Sequence, residues 1–161
     1  MTFCLPSNIN KCILPDYKMK INEKELKVIV AKLPFSQGVL RLAYHGIDEY
    51  GKRVVLKLLK RMGWEEMGLK RYLEAIECQT VAYKFAQEFS IVNNDNNKII
   101  KYTVARVAQV KNSAGTFFTI ESYIDGEYEK FNNNSGWRNN DMSLEILKTF
   151  SHWTHHLSKG Q

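Results

Sequence analysis

The chain is poor in each feature that would set it apart from an ordinary globular protein. Three prolines and nine glycines in 161 residues exclude a collagenous or low-complexity chain. The three cysteines, Cys4, Cys12 and Cys78, form no Cys-x-x-Cys pair, and an odd, scattered set makes no disulfide framework. A reduced, cytoplasmic setting is therefore expected. The longest apolar runs, such as Val28–Ala31, fall far short of the ~20 residues that cross a bilayer, so no membrane segment is expected. The first residues also lack the basic start and apolar stretch of a secretory leader.

What is there is 44% hydrophobic and 25% charged, enough apolar mass to bury a core without a disulfide or metal staple. One domain is the default for this length, and one lobe of something larger fits equally well. The formal charge of +6 suits a phosphate-bearing ligand, nucleic acid or an acidic protein surface, and equally suits solubility alone. The lysines are spread along the chain without a basic stripe, so nucleic acid is not an expected partner.

Residues 1–26 are mixed and polar and read as an N-terminal arm. From Lys27 onward, short runs rich in β-branched and aliphatic residues follow: Val28–Ala31, Leu40–Ile47 and Arg53–Leu59. Turn-like stretches at Pro34–Gly38 and Asp48–Lys52 separate them. The second is far too short for a helical crossover, so the strands are antiparallel. Trp64–Phe89 carries Cys78, Ala82, Phe85 and Phe89 at helical spacing, and Asn93–Asn97 then breaks the chain. Alternation predicts strands over Lys98–Val110 and Thr116–Ile124, with a hairpin-like turn at Asn112–Gly115. A last helix, Ser143 to Leu157, lines up Ile146, Phe150, Trp153 and Leu157, with Ser143 placed to cap it and Glu145 suited to its positive end. The expected class is α+β: a twisted antiparallel sheet, one long helix, a polar loop and a closing helix.

Lys57 stands among aliphatics, with Val55 and Leu59 on its face and Val54, Leu56 and Leu58 on the other. Such a lysine either snorkels to solvent or holds an anion, and a mid-strand lysine is one way to meet nucleotide phosphates. Gly38, in Pro34-Phe-Ser-Gln-Gly-Val-Leu-Arg41, allows close backbone approach to a phosphate to which Arg41 adds a bidentate contact; as a lone glycine it is equally a plain turn. Glu121 faces the side of Phe117, Thr119 and Tyr123, where a carboxylate needs a cation or donor unless that side is solvated. Asn132, Asn133, Asn134 and Gly136 form a hydrogen-bond-rich loop that either fixes its own turn or positions a ligand. His152, His155 and His156 share a helix at metal-compatible spacing, without a neighbouring Cys, Asp or Glu ligand.

Taken in order, "PFSQGVLRLAYHGID", "VVLKLL", "ECQTVAYKFAQEF", "FFTIESYIDGEYEKFNNNSGW" and "FSHWTHHLSKGQ" resemble the α-type (atypical) protein serine/threonine kinases, from about Lys27 to Gln161. The resemblance implies a kinase-like N-terminal lobe over about 27–124, then an Asn-rich loop and the start of a C-terminal lobe over about 125–161. It implies ATP and Mg as cofactors and a Ser or Thr of a protein as acceptor. Lys57 would grip the phosphates, and Gly38 and Arg41 would belong to the loop covering them. Glu121 would lie at the adenine edge and act through its backbone, with Tyr123 just beyond. Asn132, Asn133, Asn134 and Gly136 would border the catalytic site. His152 would be one ligand of a structural zinc, present only in a full-length domain.

In that family an Asp-Leu-Gln-Gly motif supplies the catalytic aspartate and a metal-binding glutamine, and a Cys-x-x-x-Cys pair and another zinc histidine follow. None of these patterns stands in the 161 residues. The expectation is a chain truncated before the catalytic Asp and inactive alone, with Ile146, Phe150, Trp153 and Leu157 left as an exposed patch. A non-catalytic nucleotide- or protein-binding kinase-like module is the alternative.

Overall fold

The computed structural model describes residues 1–3, 21–60, 68–93, 99–111, 113, 115–133 and 135–160. Cys4, Cys12, most of the Asn93–Asn97 break, the Trp64–Met67 start of the expected long helix, and Asn134 lie outside the described residues. Two short strands, β1 (Thr2–Phe3) and β2 (Ile21–Asn22), pair with each other. The main sheet contains β3 (Val28–Val30), β4 (Ser36–Gln37), β5 (Arg41–Asp48), β6 (Arg53–Leu59), β7 (Arg106–Gln109) and β8 (Phe117–Ser122). Its order is β3-β5-β6-β8-β7, with β4 also on β5, and every pairing is antiparallel. Helix α1 spans Gly68–Asn93 and helix α2 spans Glu145–Ser158.

Local chemistry accounts for the turns. Between β5 and β6, Asp48 Oδ1 accepts from the amides of Tyr50 and Lys52, and Gly51 takes the left-handed φ of 74° that the bend requires. Gly46 sits mid-strand in β5 because β3 and β6 press on it from both sides. A Cβ there would lie 2.5 Å from Leu56 Cδ1 and 3.1 Å from the Ile29 carbonyl oxygen.

Three apolar clusters divide the interior. On one face of the sheet, Tyr72 and Ile76 of α1 pack on Ala105, Val107 and Phe117. On the other, Val54, Leu56 and Ile120 pack with Val28, Tyr44 and Phe118. The C-terminal half of α1 packs Phe85, Ala86 and Phe89 on Phe150 of α2. The long helix therefore buries two faces in succession. Cys78, placed by its spacing on a buried stripe, is exposed.

Three further expectations are corrected. The strand expected over Lys98–Val110 shrinks to β7. Before it, Gln79 Nε2 donates to the carbonyl and hydroxyl oxygens of Thr103 at 2.7 and 2.9 Å, and Tyr102 packs toward Phe150, so this segment spends its polar and apolar groups on helices. Ser143 does not cap α2. Leu144 holds that place without a side-chain cap bond, and Asp141 Oδ1 accepts from the Ser143 amide at 2.8 Å to start a 3-10 turn, Met142–Leu144. The patch expected to be exposed is covered, since Phe150 is buried and Ile146, Trp153 and Leu157 are partly buried against α1.

Candidate functional site

The antiparallel register decides which side chains share a face, because directly opposed residues point the same way. Ala43 opposes Lys57 and Lys57 opposes Thr119; Val55, opposed to His45, also opposes Glu121. One face thus carries, in successive rows, Arg41 with Leu59, Ala43 with Lys57 and Thr119, and His45 with Val55 and Glu121. Helix α1 covers the first row, where the Leu59 amide donates to the Tyr72 hydroxyl at 2.6 Å. Burial raises the Tyr72 pKa, opposed by that bond and by the nearby Arg41 charge. The next row runs through Lys57 and Thr119 to Val107, which Tyr72 and Ile76 of α1 also cover; toward the other edge Ala43 and Lys57 are partly buried and His45 is exposed.

There Lys57 forms an ion pair with Glu121, the two side chains being 33% and 15% exposed. This settles how a charged pair sits among aliphatics: each offsets the other's desolvation. Thr119, only 3% exposed, lies beside the pair, and its hydroxyl makes no hydrogen bond among the described residues. A half-buried cation, flanked by an unused hydroxyl on a largely apolar face, fits the chemistry of a phosphate-bearing ligand.

The hairpin of β4 and β5 adjoins this face. The Gly38 amide donates to the Arg41 carbonyl at 2.9 Å, leaving Val39 and Leu40 as an exposed tip, and Lys60 donates to the Leu40 carbonyl at 2.9 Å. Phe35 stacks on His45 with centroids 3.9 Å apart, and His45 lies 5.6 Å from the Tyr123 ring. The Arg53 guanidinium covers Tyr123 at 4.5 Å and pairs with Asp125. These contacts link the hairpin to the segment that leaves β8.

Not all sequence-predicted residues converge. Lys57, Glu121, Tyr123 and Arg41 share the sheet face, with Gly38 at the hairpin. Among the described residues, no hydrogen bond, ion pair or ring contact joins Asn132, Asn133 or Gly136 to Lys57, Gly38 or Glu121. Asn133 Oδ1 instead accepts from the amides of Ser135 and Trp137 at 2.9 and 3.0 Å, and Gly136 takes a left-handed φ of 84°, so these two shape their own loop. His152 is exposed on α2, and no group of three or more metal-ligating residues occurs among the described residues. One histidine does not fit a closed zinc site, which wants four ligands. Thr119, His45 and Phe35 were missed: alternation put Thr119 on the right face, but a missing partner leaves no trace in a sequence.

The sheet with one helix across a face and a lysine–glutamate pair beside it is a kinase-like lobe. The Alpha-kinase family profile matches residues 36–161, and the chain belongs to that family. It is 49% identical over 164 residues to alpha-protein kinase vwkA of Dictyostelium discoideum, covering 99% of this chain and 26% of that protein. It is 29% identical to myosin heavy chain kinase B of the same organism, over 83% of this chain and 18% of that one. The chain thus spans about a quarter or less of these curated relatives. Among solved structures, an alpha kinase from Entamoeba histolytica superposes with a TM-score of 0.78 at 23% identity, covering 99% of this chain and 66% of that one. The alpha-kinase domain of myosin heavy chain kinase A in complex with ADP gives 0.70 at 24% identity, covering 84% and 66%.

No described helix is long and apolar enough to cross a membrane.

Proposed function

We propose that these residues form the ATP-gripping part of an α-type protein serine/threonine kinase, which transfers the γ-phosphoryl group of Mg-ATP to Ser or Thr of a protein in the cytoplasm. The reading rests on Lys57, a cation held by Glu121 beside the Thr119 hydroxyl, which has no partner among the described residues. The relative's complexes with ADP, AMP-PNP and ATP support the choice of ligand.

In this reading residues 27–161 form one partial kinase domain after an arm at 1–26, divided near residue 124. The Lys57 ammonium binds phosphate oxygens through charge-assisted hydrogen bonds. Gly38 brings the hairpin backbone close to them without a side chain, and Arg41 adds positive charge from the same strand. Glu121 offers backbone groups to the base edge, and Tyr123, clamped by Arg53, borders it. Asn132, Asn133, Asn134 and Gly136 form the rim toward the substrate, Asn133 and Gly136 by holding the loop in shape. The Mg ion supplies charge neutralisation on the phosphates. Zinc at His152 belongs only to a longer domain that provides the remaining ligands.

No Asp-Leu-Gln-Gly sequence stands in these residues, so the 161-residue polypeptide assayed by itself is expected to bind ATP and transfer nothing. Titration calorimetry with Mg-ATP tests the grip. Lys57→Ala removes charge-assisted bonds of about 1.5–3 kcal/mol, so affinity should fall at least tenfold. Equal affinity in the variant and the parent chain would end this reading.

A further inference from the structure

Among the described residues the Thr119 hydroxyl is a buried polar group without a partner, which native proteins seldom tolerate without a reason. It is 3% exposed, and its residue lies between Lys57 on β6 and Val107 on β7 in the ladder. Its one carboxylate neighbour on the same strand and face is Glu121, two residues along. At the strand rise that separation is about 7 Å, a gap that a glutamate side chain and a threonine hydroxyl can close together.

Glu121 pairs with Lys57 in the structure. A triphosphate arriving at Lys57 competes with that carboxylate for the same ammonium, because two anions sharing one small cation repel each other in a half-buried site. As Lys57 swings toward phosphate, Glu121 loses its cation while still largely buried, and a carboxylate so placed requires a donor. We propose that Thr119 is a positioning residue of the nucleotide site, its hydroxyl taking over the Glu121 carboxylate when bound phosphate draws Lys57 away. The hydroxyl is idle in the empty protein because its work comes with the ligand. This inference rests on nucleotide binding at Lys57.

Thr119→Val and Thr119→Ser separate this role from a structural one. Valine keeps the shape and removes the idle hydroxyl, so the empty protein should gain about 2–4 °C in melting temperature. Its affinity for Mg-ATP should nevertheless fall about tenfold or more, the scale of one hydrogen bond to a charged group. Serine should restore affinity. A valine variant that melts lower than the parent would overturn the proposal, since the hydroxyl would then be satisfied without ligand. A valine variant that binds Mg-ATP as tightly as the parent, or a serine variant that does not recover, would overturn it too. Lys57→Ala, run alongside, identifies the level of failure. If it abolishes binding while Thr119→Val changes nothing, only the Thr119 role falls; if it leaves binding intact, the nucleotide reading itself falls.

Discussion

Replacing Phe150 by alanine tests whether α2 is a fixed part of the fold. The Phe150 ring is 7% exposed, meets the Phe89 ring edge-on at 5.3 Å, and lies 6.5 Å from the Trp153 ring. Buried Phe→Ala changes cost about 3–5 kcal/mol. The cluster has four buried members and an open flank at Trp153, which allows partial collapse and favours the lower figure. For a domain of this size each kcal/mol moves the midpoint by about 2–4 °C, so about 3 kcal/mol lowers melting by about 6–12 °C. Trp153 reports the same event, because it also contacts Phe85 and Phe89 edge-on at 6.1 and 5.4 Å. Its emission should shift to longer wavelength in the variant under native conditions. Ile91→Ala, at a position 74% exposed, should move the midpoint hardly at all. If Phe150→Ala altered neither melting nor emission, α2 would not be docked on α1 and its apolar face would be uncovered.

Gly46→Ala should cost about 1–3 kcal/mol, because the added methyl meets the rigid Ile29 carbonyl as well as Leu56; an unchanged urea midpoint would contradict that crowding. Tyr72→Phe keeps the ring and strips the Leu59 amide of its acceptor, so a loss of about 1–3 kcal/mol is expected in the same assay. Burial raises the pKa values of Tyr72 and Tyr102, so their neutral forms favour the fold. That stability is complete below the ordinary tyrosine range and is lost as pH rises through the raised values. Tyr72→Phe should flatten the alkaline decline in part, as an alkaline denaturation series will show. Asp141 behaves oppositely: bonds from the Ser143 amide and hydroxyl hold its carboxyl below the usual range. Its contribution is present above the ordinary carboxylate pKa and fades as pH falls through the lowered one, which the Ser143 amide resonance should track.

The strands were legible where the chain alternates between two buried surfaces. Arg53–Leu59 matches β6 end to end, because a central strand leaves both faces a clear pattern and Asp48–Lys52 forces the reversal before it. The Ile99–Ala105 segment alternates just as well but is no strand, since its partners are Gln79 and Phe150, distant in sequence. Helix α1 also runs past Phe89 to Asn93, a last turn that no apolar stripe announces because Ile91 and Val92 in it are exposed. At the site, alternation placed Lys57 and Glu121 on definite faces and left each needing a partner. That they answer each other depends on the β6–β8 register, a pairing across more than sixty residues that no local pattern encodes.

Because Lys60 grips the Leu40 carbonyl from the end of the strand that carries Lys57, the hairpin tip cannot hinge upward without surrendering that bond. Together with the bond from the Gly38 amide to the Arg41 carbonyl, it ties the tip to the sheet through main-chain contacts alone, which a side-chain change at Val39 or Leu40 would leave in place.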